Sequence, residues 1–186
     1  MFTWLARKSK SKTTARELYG AVVTQARTPA FYGPLGVADT AEGRYELIAL
    51  HLVLVLERLG QPDSVDEPLR RAVLETFITD MDDCVREMGA GDMSVARRVK
   101  KAAGGIYTRA AVYGAGLAAK DDEALRLALA DFLYEGRPNA ASARAVAYVR
   151  AAAVSLASQP ANQLAAGRVT FPSPDVAVQG YPEMIP

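Results

Sequence analysis

The sequence predicts an all-α protein: a single-domain bundle of about six helices followed by an extended, Pro-containing C-terminal tail. Hydrophobic residues make up 50% of the 186 positions, and they recur with helical spacing. Before the tail, no segment of convincing length alternates between apolar and polar residues, so no strand is predicted there. We expect a basic N-terminal segment at 1–12, a helical domain at 13–160 and the tail at 161–186.

The first two predicted helices begin at capping boxes, in which a side-chain oxygen and a carboxylate three residues later satisfy free backbone amides. The first box is Thr14–Glu17, and Pro29 ends the helix that follows it. The second box is Asp39–Glu42, and Gly60 ends its helix. Both ends agree with the helix-stopping character of Pro and Gly.

Four further helices are marked by the same signals. Asp and Glu near a helix start complement its positive end, and Gly or Pro closes the third, fifth and sixth helices. These helices are predicted from Ser64 to Met88, from about Asp92 to Ala119, from Asp121 to Gly136 and from about Ala140 to Gln159.

The second helix is predicted to run through the middle of the bundle. With about 100° per residue, Arg44, His51 and Arg58 fall on one line and three glutamates fall roughly opposite, with apolar residues on both flanks. A helix with two apolar sides has to bury both. His51 lacks a candidate nucleophile, a second His and a ligand motif, so we interpret it as a core histidine with satisfied hydrogen bonds.

The third and fourth helices each carry one apolar stripe. The third stripe contains Phe77 and Cys84, so Cys84 is predicted to be a core thiol. The fourth contains Ile106 and Tyr113. Glycines in the fourth helix lower its helix propensity, and they would let another backbone approach closely.

Composition excludes several function classes. Lys and Arg number 22 against 21 Asp and Glu, which gives a formal charge of +1. This balance argues against a general nucleic-acid binder, because neutralising phosphates needs a basic excess. One Cys excludes a disulfide framework and Cys-rich zinc sites, and one His excludes mechanisms with two imidazoles.

The N-terminal segment places apolar residues at 1–5 before basic residues at 7–12. This is the wrong order for a secretory signal. The segment is predicted either to lie on an anionic membrane surface or to be a disordered start. The apolar run Tyr45–Leu59 is interrupted by charges and is shorter than the roughly 20 apolar residues of a membrane span, so we interpret it as a buried helix.

Two charged helix faces are candidates for chemistry. Asp80, Asp83 and Glu87 share one face of the third helix and could hold Mg²⁺ against a diphosphate. Such sites usually need a second acidic helix, which the sequence lacks, so a solvated or salt-bridged face is the alternative. The fourth helix carries a basic face that either pairs with the acidic helix or docks a partner. Its residues are Arg97, Arg98, Lys100 and Lys101.

Several longer segments are distinctive as an ordered set. They are YGPLGVADT at 32–40, GRYEL at 43–47, DMDD at 80–83, REMGAGDMSV at 86–95, RVKK at 98–101, and Tyr107-x-Arg109 with Tyr113. In this order they resemble the ubiquinol–cytochrome c chaperone family over about residues 19–133. The short N-terminus looks like that of a bacterial member.

The resemblance implies a non-enzymatic assembly factor of ubiquinol–cytochrome c reductase, the cytochrome bc complex, with no cofactor or metal. A bacterial member is expected in the cytoplasm or at the cytoplasmic face of the inner membrane, where it would receive newly made cytochrome b. A small assembly partner, the ribosome and an anionic membrane are further candidate partners, and nucleic acid is not. The runner-up interpretations are a Mg-dependent helical enzyme that processes prenyl diphosphates and a lipid- or quinone-binding protein.

The resemblance also implies a partner-binding set in the 32–40 loop and the helix–loop–helix at 80–101, with further residues on the fourth helix. The set comprises Tyr32, Leu35, Asp39, Arg44, Asp80, Asp83, Arg86, Asp92, Met93, Arg98, Lys100, Lys101, Tyr107, Arg109 and Tyr113. Its charged members have an alternative role as a buried polar network that fixes the order of the helices. This alternative applies to Asp39, Arg44, Asp80, Asp83, Arg86 and Asp92.

Overall fold

A computed structural model describes residues 2–63, 66–87 and 92–175, and in these ranges the chain is all-α without a strand. The helices are α1 Phe2–Ala26, α2 Ala41–Leu59, α3 Glu67–Glu87, α4 Asp92–Ala118, α5 Glu123–Leu133, α6 Ala140–Ser158 and α7 Ala161–Leu164, with a 3-10 turn at Pro29–Phe31. The predicted all-α single domain is confirmed. The seventh helix is one short turn at the start of the predicted tail.

Helix α2 forms the centre of the bundle, as predicted. It packs against α1, α3, α4, α5 and α6, and every side chain from Ala49 to Leu56 is buried. The long apolar run is therefore the core of a helical bundle, because neighbouring helices cover both of its apolar sides. None of the helices in the described ranges has the length and apolarity that a bilayer crossing requires.

The start of α1 differs from the prediction. The helix begins at Phe2, and Thr14 lies inside it with a relative exposure of 6%. The start predicted at Thr14 is therefore wrong, because no Gly or Pro interrupts the chain before it and the threonine packs into the core. The predicted end is confirmed: Thr28 adopts an extended conformation before Pro29, as expected for a residue that precedes proline.

The other helix ends follow local chemistry. Thr40 is the N-cap of α2 and accepts a hydrogen bond from the Gly43 amide at 3.1 Å, so the cap lies one residue after the predicted Asp39. Asp66 accepts from the Leu69 amide at 3.0 Å at the start of α3. After α5, Gly136 has a φ of 74°, the left-handed conformation that Gly adopts at helix ends. The segments 64–65 and 88–91 lie outside the described residues.

The apolar stripes are confirmed near the core and wrong at one end. Phe77 on α3 and both Ile106 and Tyr113 on α4 are buried. Met81 is only partly buried, and Cys84 is exposed. The prediction of a core thiol is wrong because the last turns of α3 leave the core, although Cys84 shares the stripe of Phe77.

The first part of the predicted tail lies along the bundle. The Gln159 side chain donates to the Thr170 carbonyl at 2.8 Å and accepts from its amide at 3.0 Å. Phe171 packs edge-on against His51, with ring centroids 5.2 Å apart, and the Pro172 carbonyl accepts from Gln25 at 3.0 Å. The described tail therefore connects α6, α2 and α1. The rest of the predicted tail, residues 176–186, lies outside the described residues.

Candidate partner-binding surface

The loop between α1 and α2 contributes buried side chains to the core, and it is also a candidate contact for a partner. Phe31 is buried and packs against the rings of His51 and Tyr148, at centroid distances of 5.3 and 4.9 Å. Leu35 is 1% exposed, and its carbonyl accepts from the Tyr134 hydroxyl at 2.8 Å. Leu35 is therefore a core residue of this fold, and it cannot reach a partner without local opening.

Two glycines of the 32–47 region are explained by backbone geometry. Gly36 has a φ of 65°, in the region that side chains disfavour. A Cβ at Gly43 would collide with the backbone carbonyl of Ala38. These positions shape the turn that delivers the chain into α2.

Asp39 and Arg44 form an exposed ion pair across that turn, with 2.7 Å between Oδ1 and Nε and side-chain exposures of 56% and 62%. The hydrogen bond from Arg44 lowers the pKa of the Asp39 carboxyl. Their exposure contradicts the buried-network alternative for these two residues. Tyr32 is half-buried, and its hydroxyl donates to the last carbonyl of α1, that of Ala26, at 2.8 Å.

Arg109 of α4 forms a buried charge pair with Glu46 of α2. Its Nε donates to Glu46 Oε2 at 2.7 Å, and Nη2 donates to Oε1. The guanidinium lies 4.3 Å from the ring centroid of Phe132 and 5.3 Å from that of Tyr45, within cation–π range. Arg109 is 9% exposed, so it ties α4 to α2. Its predicted partner role would need access that this packing does not provide.

His51 is a core histidine, as predicted. Its Nδ1 lies 2.7 Å from the Leu47 carbonyl, and its Nε2 lies 2.7 Å from the Tyr148 hydroxyl. This geometry fits a neutral ring that donates from Nδ1 and accepts at Nε2. Burial lowers the pKa of His51 to about 4. Gln25 donates to the same hydroxyl at 3.0 Å, so a chain of hydrogen bonds runs from His51 on α2 through Tyr148 on α6 to Gln25 on α1.

Arg58 donates hydrogen bonds to backbone carbonyls at the C-terminal end of α6. It is 4% exposed and donates from Nε to the Leu156 carbonyl at 2.9 Å and from Nη2 to the Gln159 carbonyl at 2.8 Å. Its two Nη atoms each lie 3.0 Å from an oxygen of Asp63. A buried guanidinium is tolerated here because carbonyls and a bidentate carboxylate surround it.

The acidic face of α3 divides into half-buried and exposed parts. Asp80 accepts a 2.7 Å hydrogen bond from the Tyr19 hydroxyl, whereas Asp83 is exposed. Arg86 is exposed and pairs with Asp82 at 2.7 Å. Partial burial and nearby carboxylates, first that of Asp80, raise the pKa of the Cys84 thiol. Among the described residues, no three His, Cys, Asp or Glu side chains come close enough to hold a metal ion together.

The outer face of α4, which we define as Arg97, Lys100, Lys101 and Tyr107, is exposed to solvent. Tyr107 is 65% exposed. Within the described part of the chain, no ion pair includes any of its three cations. Pairing with the acidic helix α3, one of the two predicted alternatives, is therefore not seen there. Further along α4, the buried Tyr113 hydroxyl finds no hydrogen-bond partner among the described residues.

The predicted set is thus distributed over core and surface. The exposed members are Asp39, Arg44, Asp83, Arg86, Lys100, Lys101 and Tyr107, the half-buried ones are Tyr32 and Asp80, and the buried ones are Leu35, Arg109 and Tyr113. The side chains of Asp92, Met93 and Arg98 are not among those that the structure describes. Two further residues of the framework, Tyr148 and Gln159, hold His51 and the tail. They could not be found from the sequence, because neither belongs to a recognisable motif.

The fold and these surfaces define an all-α protein whose buried polar groups connect helices and whose α4 presents cations that pair with none of the described carboxylates. The family model of the ubiquinol-cytochrome C chaperones matches residues 34–171, and the chain belongs to this family. It is also similar to the crystal structure of the Cbp3 homolog from Brucella abortus, with a TM-score of 0.80 and 34% identity. That match covers 94% of this chain and 98% of the other. No curated protein sequence matches this chain.

Proposed function

We propose that this chain is a non-enzymatic assembly chaperone of ubiquinol–cytochrome c reductase that binds newly made cytochrome b. Membership in the ubiquinol-cytochrome C chaperone family supports the proposed role in assembly of this complex. The observation that carries the choice of binding surface is the outer face of α4, whose three cations have no ion-pair partner among the described residues.

Such a face suits the capture of a charged client. Exposed cations steer a partner of opposite charge and accelerate its association. An exposed aromatic ring next to them adds apolar contact area with a polar tip. Lys100, Lys101 and Tyr107 combine both elements on one side of one helix.

The proposed place of action is the cytoplasmic face of a bacterial inner membrane. A newly made membrane subunit exposes its loops at this face, and anionic lipids attract basic segments there. The basic residues at 7–12 of α1 and the outer face of α4 are the regions of this chain that would respond to such a surface.

A strain that lacks the gene tests the proposal. Cytochrome b and the assembled complex are expected to fall in this strain and to recover with the wild-type chain. The double variant Lys100→Glu, Lys101→Glu is expected to keep the helical circular dichroism spectrum and melting temperature. It is expected to co-purify about tenfold less tagged cytochrome b, because its carboxylates would repel the acidic segment of the client that is proposed to bind this face.

The matched control is Arg71→Glu, Lys120→Glu, which makes the same charge change at two exposed positions without an ion pair among the described residues. It is expected to behave like wild type. Normal cytochrome b in the deletion strain would contradict the proposed function. Equal capture by the two double variants would contradict the assignment of the α4 surface alone.

A further inference from the structure

A groove of about 440 Å³ opens between α2, α4 and α6 on a different part of the surface. Its floor includes Leu54 and Leu156, which are 3% and 1% exposed. Its walls are built from small residues four positions apart on two helices, namely Gly114 and Ala118 on α4 and Ala153 and Ala157 on α6. The groove therefore combines an apolar floor with low walls.

The internal packing of the bundle does not require this shape. A Cβ at Gly114 would meet no atom of the described residues within 4 Å, so none of the described elements excludes a larger side chain there. Glycine in a helix interior lowers stability by roughly 0.5–1 kcal/mol relative to alanine. Small residues on facing helices do allow the backbone of a further helix to approach closely.

The charge around the groove favours a cationic occupant. The charged residues of its lining are Glu57, Arg58 and Asp63, so its carboxylates outnumber its cation by one. Arg58 is matched by Asp63. This leaves Glu57 in the lining, a carboxylate that takes no part in the ion pairs of the described residues.

We propose that this groove receives an apolar helix of the client that carries Lys or Arg in its terminal turn. The inference rests on the proposed function and names the part of the client that is bound. Membrane-protein helices have this chemistry at their cytoplasmic ends, where Lys and Arg accumulate. An acyl or isoprenoid chain would fill the apolar floor but would leave Glu57 without a cation.

The test uses the full-length chain and a fluorescent Leu/Ala helix of about 20 residues in detergent micelles. One peptide ends in two lysines and its counterpart in two glutamates. Anisotropy titration is expected to show tighter binding of the lysine peptide. Gly114→Leu is expected to weaken binding on the order of tenfold, because a side chain inserted into a contact surface costs about that much. Glu57→Lys is expected to remove the preference for the lysine peptide.

Matched controls are available on other helices. Gly20→Leu introduces the same side chain at an exposed helical glycine that also has no atom within 4 Å of its Cβ position, and Glu75→Lys reverses an exposed carboxylate on α3. Both are expected to bind like wild type. Equal binding by Gly114→Leu and Gly20→Leu, or equal binding of the two peptides, would overturn the proposal.

Two further readouts separate the alternatives. If mass spectrometry finds a co-purified phospholipid or quinone that Gly114→Leu displaces while the lysine peptide does not bind, the groove is a lipid site and the helix proposal is wrong. The deletion strain can also be complemented with each variant. If the wild-type chain restores cytochrome b and Gly114→Leu restores it as well as Gly20→Leu does, the groove is not the binding site. The proposed function would still stand.

Discussion

The buried face of α2 and the outer face of α4 use polar and charged residues in opposite ways. On α2, His51 and Arg58 are 0% and 4% exposed, and each contacts a partner on α6 within hydrogen-bonding distance. On α4, Lys100 and Lys101 are exposed and form no ion pair with a described residue.

The difference follows from desolvation. A polar group taken out of water needs a partner, or its burial destabilises the fold. An exposed cation keeps its water and remains available to another molecule. The contrast predicts that substitutions on the α2 side change stability, whereas substitutions on the exposed side change partner binding.

The largest expected effect is at the pair between Glu46 and Arg109. Arg109→Met removes the guanidinium and leaves a carboxylate that is 15% exposed without its partner. Breaking a buried pair in this way costs about 3–5 kcal/mol. Urea denaturation should show this loss in the free energy of unfolding.

The control for this variant is Arg126→Met, which breaks an exposed pair with Glu123 and should leave the denaturation midpoint unchanged. If both variants unfold at the wild-type urea concentration, the pair does not stabilise the contact between α2 and α4.

The next effect depends on pH and arises at His51. Its pKa is lowered from 6.5 to about 4 in the folded chain, so the unfolded chain takes up the proton first as the pH falls. The stability that this group contributes is complete above pH 6.5 and is lost between pH 6.5 and 4. The loss amounts to about 3 kcal/mol.

Unfolding measured across this range checks the prediction. His51→Gln should be less stable at pH 7 and should have a flatter dependence of stability on pH between 6.5 and 4. The same slope in the variant and the wild-type chain would assign the pH dependence to other groups.

The central helix could be predicted because its signal is local. The long apolar run, the capping box at Asp39–Glu42 and Gly60 predicted α2 to within one residue at its cap, and the lack of a second His or a nucleophile predicted the role of His51. Its partner could not be predicted, because Tyr148 lies 97 residues further along the chain. Sequence spacing does not report which distant side chain closes a hydrogen bond.

The candidate site shows a second limit. A family motif marks residues without showing whether they act in the core or on the surface. Leu35 and Tyr113 carry the resemblance as much as Lys100 does, yet both are buried. The prediction for Cys84 was wrong for a geometric reason. Helical spacing shows which face of the helix a residue lies on, but it does not show where along the helix the core ends.

A smaller loss of stability is expected at the tail. Phe171 is partly buried against the core and contacts the His51 ring. Phe171→Ala should cost about 1–2 kcal/mol, less than a fully buried Phe, for which the cost is about 3–5 kcal/mol. The variant should also admit water near His51, so NMR titration should show its pKa moving up toward 6.5.

Val154→Ala is the control, because this side chain is 70% exposed on α6. It should change neither the free energy of unfolding nor the pKa of His51. An unchanged His51 pKa in Phe171→Ala would show that the tail does not shield the histidine.

The smallest effect on stability is expected at Arg44, whose ion pair with Asp39 is exposed. Arg44→Gln should melt at the wild-type temperature, because solvent screens this pair. If the exposed motif residues contact the client, the variant should associate with cytochrome b more slowly, with the larger deficit at low salt. Arg126→Gln breaks a comparable ion pair outside the segments that carry the family resemblance, and this variant should associate with cytochrome b at the wild-type rate. Association that is equally fast in both variants at every salt concentration would show that the Arg44 pair serves only the turn into α2.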